Sequence, residues 1–203
     1  MNLQVLFAEL TLKIGFTQQE INTLWLALEK AYTGKSRYYH NLTHLQEMIT
    51  AYQEYQSYLQ HPDEVLFAIF YHDFVYKTTR KDNELQSAEY AVSLLQPQHN
   101  LNQTLVFDMI VATQHHQHNE EEDINWLIDF DLKILSKSWE DYQVYCGQIR
   151  KEYKMYPDIL YKPGRKKALE HFLEHEFIYQ TETFRNRYEQ QARTNIQKEI
   201  NLL

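Results

Sequence analysis

Three short stretches carry side chains able to hold a divalent cation. Arg37-Tyr38-Tyr39-His40-Asn41-Leu42-Thr43-His44 sets two imidazoles four residues apart. In a helix that spacing puts both on one face. Val65-Leu66-Phe67-Ala68-Ile69-Phe70-Tyr71 leads into His72-Asp73. His72 continues the stripe of Val65, Ala68 and Ile69 at helical spacing, so it points inward at the end of a buried helix with a carboxylate beside it. Ile128-Asp129-Phe130-Asp131-Leu132 adds two carboxylates in apolar surroundings. A single histidine on an apolar face is ordinarily a hydrogen-bonded core residue. A buried His-Asp pair is costly to desolvate, and a divalent cation offsets that cost. Two His and two Asp without sulfur suit Mn, Mg, Fe, Co, Ni or Zn.

Helices must position these groups. The 203 residues include 4 Gly and 4 Pro, far below the ~12% combined share of average usage. Hairpin-rich folds use those residues at every turn, so a sandwich or barrel is disfavoured. The 24 Leu against 7 Val point the same way. Helix starts recur: a Thr17-x-x-Glu20 capping box, Asn41 or Thr43, Asp63, Asp82, Ser138-x-x-Asp141 and Pro163-Gly164. Pro97 marks one end, a helix spans Leu101 to His116, and a last one starts near Glu182. No segment alternates with a period of two, so the expectation is all-α, with eight to ten helices. No linker or repeat divides the chain, which predicts a single domain over 1–203.

Composition excludes several function classes. The net charge of −8 and the pI near 5.7 disfavour a nucleic-acid binder, which needs a basic face. The lone Cys146 cannot form an intramolecular disulfide and fits a reducing, cytoplasmic setting. The longest apolar run, Val65 to Tyr71, is too short to span a bilayer. Met1 to Phe16 lacks the positive start of a signal peptide.

The order His, then His-Asp, then Asp in a helical chain resembles the HD-domain superfamily of metal-dependent phosphohydrolases. Further segments extend the likeness: Tyr39-His40-Asn41-Leu42-Thr43-His44, His72-Asp73-Phe74-Val75-Tyr76, Asp82-Asn83-Glu84 with Ser87-Ala88, Ala112-Thr113-x-x-His116, Asp129-x-Asp131-Leu132, Ile149-Arg150-x-Glu152-Tyr153, Gly164-Arg165 and Ala192-Arg193-x-Asn195. They look like the small bacterial and fungal group described as predicted metal-dependent HD phosphohydrolases, over roughly residues 35 to 200.

The resemblance implies a compact HD-domain helical bundle with His44, His72, Asp73 and Asp131 as metal ligands and Asp129 behind them or facing substrate. The Tyr-His-Asn-x-x-His string is also similar to the signature of cyclic-nucleotide phosphodiesterases, which makes His40 a general acid. The implied reaction is hydrolysis of a phosphate ester, with a nucleotide as the superfamily's habit, by a metal-activated water. Asp73 both ligates and accepts the water's proton. Arg37, Lys77, Arg150 and Arg165 are the cations nearest the motifs, suited to phosphate; Lys77 and Arg165 fit a surface charge equally well. Glu84 is an acid, a hydrogen-bond partner or part of a helix start. His116 is expected at the phosphate or a second metal. Binuclear phosphodiesterases add a His after the doublet, where this chain has Phe74, Val75 and Tyr76, so one ion or two stays open.

Competing expectations are an HD-fold di-iron oxygenase, which needs His40 and His116 as further ligands, and a non-catalytic metal-bearing ligand sensor. Phosphomonoesterase and phosphodiesterase are not separable here, and a homodimer through a helical face is compatible with either. His171-Phe172-Leu173-Glu174-His175 matches a zinc-protease pattern. Its polar members lie opposite the apolar side of their helix, which predicts surface residues, as for His61, His99 and His118.

Overall fold

The computed structural model describes residues 2–203. Among them ten α-helices, two 3-10 turns and no strand occur: α1 (Leu3–Ile14), α2 (Gln18–Tyr32), α3 (Leu42–Tyr55), α4 (Pro62–Tyr71), α5 (Asn83–Ser93), α6 (Gln103–Ala112), α7 (Glu122–Leu132), α8 (Trp139–Glu152), α9 (Asp158–Glu174) and α10 (Glu182–Leu202). The all-α expectation holds. No helix of the described residues is long and apolar enough to cross a membrane.

The helix starts follow from local chemistry. Thr17 and Glu20 form the capping box of α2. Asn41, rather than Thr43, caps α3 by accepting from the Thr43 N–H. Ser138 caps α8 through the Asp141 N–H. The α1–α2 turn needs Gly15, whose φ of 118° is left-handed.

Two helices have little solvent face. Every residue from Val65 to Tyr71 in α4 is buried, as its unbroken apolar run requires. In α7 Asp123 to Phe130 are buried as well. Helix α4 packs against α1, α3, α5, α6 and α7, and α3 also touches α7. The C-terminal ends of α4 and α7 thus meet beside the start of α3, deep in the bundle.

Two sequence boundaries shift. Helix α6 stops at Ala112, where the N–H groups of Thr113, Gln114 and His116 turn back to Ile110, Val111 and Ala112 carbonyls. Helix α9 begins at Asp158 and runs through Pro163 instead of starting there. Proline in a helix interior removes one hydrogen bond and strains the preceding turn. Asp82 stands at the start of α5 but binds Arg80 rather than capping. His99, expected at the surface, is buried against Phe16 and accepts from the Gln96 N–H.

Candidate metal centre

His72 occupies the C-cap of α4, and its N–H donates to the Ala68 carbonyl at 2.8 Å. Its Nδ1 donates to the Ile69 carbonyl at 2.8 Å. That bond fixes the tautomer and leaves the Nε2 lone pair for a cation. His44, in the first turn of α3, brings its Nε2 to 3.3 Å from that of His72. Asp131, next to last in α7, places Oδ1 at 3.1 Å from His44 Nε2 and 3.9 Å from His72 Nε2. Asp73 Oδ2 mirrors it, 3.1 Å from His72 Nε2 and 3.9 Å from His44 Nε2.

Ligand atoms of His44, His72 and Asp131 lie within 4.8 Å of one another, a group that could hold a metal ion. Asp73 stands beside both imidazoles. Two buried imidazole nitrogens in near contact, flanked by two carboxylates, form a donor set that suits a borderline divalent cation. Without a metal, a proton takes over part of that role. Burial opposes charge on His72, but the charges of Asp73 and Asp131 and the Asp73 hydrogen bond outweigh it, lifting its pKa to about 9. Burial raises the Asp73 and Asp131 carboxyls. The imidazoles override that, His72 first for Asp73 and the His116 hydrogen bond first for Asp131, and hold both below the usual range.

His40 precedes α3 instead of sharing a helix face with His44, yet the two rings are 6.0 Å apart. A buried carboxylate holds it. Glu152, at the end of α8, binds His40 Nδ1 at 2.6 Å, accepts the Tyr39 and His40 N–H groups at 2.8 and 3.1 Å, and accepts the Tyr76 hydroxyl at 2.8 Å. Burial would depress His40; the charge of Asp73 and the hydrogen bond to Glu152 raise it above its ordinary value. From sequence Glu152 enters only within Ile149-Arg150-x-Glu152-Tyr153, with no role of its own, although the signal is there. It continues the buried stripe of Tyr142, Tyr145 and Ile149 in α8, where a carboxylate needs a partner.

His116 lies past the end of α6 at a φ of 53°, and still its Nε2 reaches Asp131 Oδ2 at 3.1 Å. His115 is exposed. Glu84 is half-buried; burial raises its carboxyl, with Asp73 and Asp131 close enough to add to the effect.

Of the expected phosphate cations, Arg37 stands beside the centre but is bonded to main chain, and Arg150 and Lys77 are held elsewhere. Arg37 donates to the carbonyls of His40, Asp73 and Phe74 at 3.1, 2.7 and 2.9 Å. It ties the His40 loop to the His72-Asp73 end of α4, so its donors are occupied by main chain. Arg150 binds Asp158 and the Tyr153 and Tyr156 carbonyls, closing the α8–α9 turn. Lys77 is exposed, with its backbone fixed by Asn83. Both Asp129 oxygens are taken up by the start of α10: they accept the Gln180 and Thr181 N–H groups and the Thr181 hydroxyl, at 2.6, 2.8 and 2.6 Å. Burial lifts its pKa to about 7 against those hydrogen bonds. His171 and His175 are exposed, with Nε2 atoms 3.3 Å apart, in keeping with a surface position.

His40, His116 and Asp131 form one end of a cavity of about 440 Å³ whose other walls come largely from α8 and α9. No family model, curated protein or solved structure matches the chain.

Proposed function

We propose that the chain is an HD-type metal-dependent phosphohydrolase acting on a small phosphate ester. The observation that carries this reading is the convergence of His44, His72 and Asp131, with Asp73 beside them and the His40–Glu152 pair at the cavity end. A divalent ion held there would supply a Lewis acid for the phosphoryl oxygen and a more acidic water. The chain's own residues supply the rest. Asp73 and Asp131 are ionised and sit where a proton leaving water is accepted. Glu152 accepts from His40 Nδ1 and stabilises the imidazolium, so Nε2 donates a proton to the departing ester oxygen. The raised His40 pKa keeps that proton in place near neutral pH.

Asp131 also favours a two-ion version of the site. Its Oδ1 faces His44 while its Oδ2 faces His116, so a second ion would find His116 and Asp131 among its donors. Metal stoichiometry by calorimetric titration separates one ion from two.

Metal-reconstituted protein should release phosphate from monoesters, or an alcohol from diesters, and His40→Ala should lose that activity while still binding metal. A protein that binds metal and consumes dioxygen instead would be an oxygenase, and one that binds metal without turnover a sensor. Either result removes the hydrolytic reading.

A further inference from the structure

The cavity beside the candidate centre has a chemical character of its own. Its size lies within the range of small-ligand sites, about 300–1,000 Å³. Side chains of Tyr145, Tyr153, Tyr156, Tyr161 and Phe172 form much of its wall. Aliphatic groups, Ile134, Leu135, Ile149 and Leu160, fill the gaps between them.

Charge is nearly absent away from the metal end. Arg165 is the one arginine or lysine lining the cavity. Its guanidinium is fixed by Glu199, Nε to Oε1 at 2.8 Å and Nη2 to Oε2 at 3.0 Å, and Nη2 reaches the Tyr145 hydroxyl at 3.3 Å. A second or third phosphate would meet no Arg or Lys there but this one, already paired with Glu199.

Helix α9 leaves room over this cavity. Gly164 and Ala168, one turn apart, both line it. A Cβ added at Gly164 would meet nothing within 4 Å. Glycine inside a helix is unfavourable, and here it coincides with open space.

Resting on the phosphohydrolase reading, we propose that this cavity seats the organic part of the ester, and that this part is one uncharged, mostly apolar, ring-sized group joined to a single phosphate. Polyphosphates and small hydrophilic phosphates are the poor ligands. The phosphate lies toward His40, His116 and Asp131, and the ring lies among the tyrosines under α9.

Equilibrium binding tests this without turnover. Naphthylphosphonate, methylphosphonate and pyrophosphate are titrated calorimetrically into Mn²⁺-loaded protein. Naphthylphosphonate should bind at least about tenfold tighter than either competitor, the order of one well-buried apolar group. Gly164→Leu replaces a poor helix former with a good one and fills the space; it should reduce that preference at least about fivefold, and Ala168→Phe should do the same. Equal binding of the three, tighter pyrophosphate, or an unchanged preference in both filled variants overturns the proposal. Phosphate release from naphthyl phosphate is measured alongside. A binding preference without release from any ester sinks the hydrolytic reading and leaves the cavity assignment standing.

Discussion

His72 shows how one side chain joins sequence pattern to chemistry. Its Nδ1 is fixed by a helix carbonyl, its Nε2 faces His44 and Asp73, and its proton affinity is high because two carboxylates surround it. His72→Ala should abolish Mn²⁺ binding in calorimetric titration while the far-ultraviolet circular dichroism stays helical. The residue ends α4 and is not needed to fill it. On the hydrolytic reading Glu152 acts through His40, and Glu152→Gln should lower kcat by about 10- to 100-fold, as loss of an orienting partner does. The sign of the pH effect follows from the charge removed. Glu152 helps raise the His40 pKa, so the variant should lose activity on the alkaline side at a lower pH than the wild type. A carboxylate that only supported the fold would leave that limb unmoved.

Helices α8, α9 and α10 are locked by a buried ion pair. Glu199 in α10 accepts Arg165 of α9 and the Tyr142 hydroxyl of α8 at 2.6 Å. Burial raises the Glu199 carboxyl, but Arg165 outweighs it and holds the pKa below its ordinary 4.5. A depressed carboxyl adds stability above that ordinary value, and the contribution fades as pH falls through the lower folded pKa. Glu199→Gln should therefore cost about 3–5 kcal/mol at pH 7, since it strands a buried guanidinium, and the difference from wild type in urea unfolding should shrink below pH 4. Much of this helical framework was legible in the sequence. The α2 capping box, the Asn41 and Ser138 caps and the buried run of α4 are local signals, and they gave the right elements. Imidazoles and carboxylates stand out on apolar stripes, but the choice of His44 and Asp131 over His40 and Asp129 is what the HD-domain resemblance implies. Long-range partners were not legible. Arg37 and Arg150 look like phosphate cations until the carbonyls they bind arrive from other segments. Asp129 looks like a ligand until the Gln180-Thr181 backbone occupies it. Pro163 reads as a helix start because its missing N–H is a local rule, whereas the helix it interrupts begins five residues earlier at Asp158.

In the molecule as a whole, the centre joins α3, α4 and α7, three segments that separate on unfolding. A cation bound there binds the folded chain only, so it stabilises by mass action. At about 100-fold excess over Kd the gain is about 2.7 kcal/mol. Mn²⁺ should raise the unfolding midpoint of EDTA-stripped protein by several degrees, and the shift should vanish in His72→Ala.

Helix α9 has an unequal share in this cooperative whole. Of its 17 residues only Tyr161 and Leu169 are buried, and Ile159 and Leu160 are 81% and 61% exposed. Beyond the Arg165–Glu199 pair the helix has few buried anchors, so it should leave the native state more cheaply than the bundle beneath it. It also carries Arg165, Lys166 and Lys167. Dilute trypsin under native conditions should make its first cuts there, while the remainder stays resistant. The same looseness makes the roof of the cavity its door, so a molecule held inside should slow the protease, and the rate of that first cut becomes a clock for how often the chamber opens.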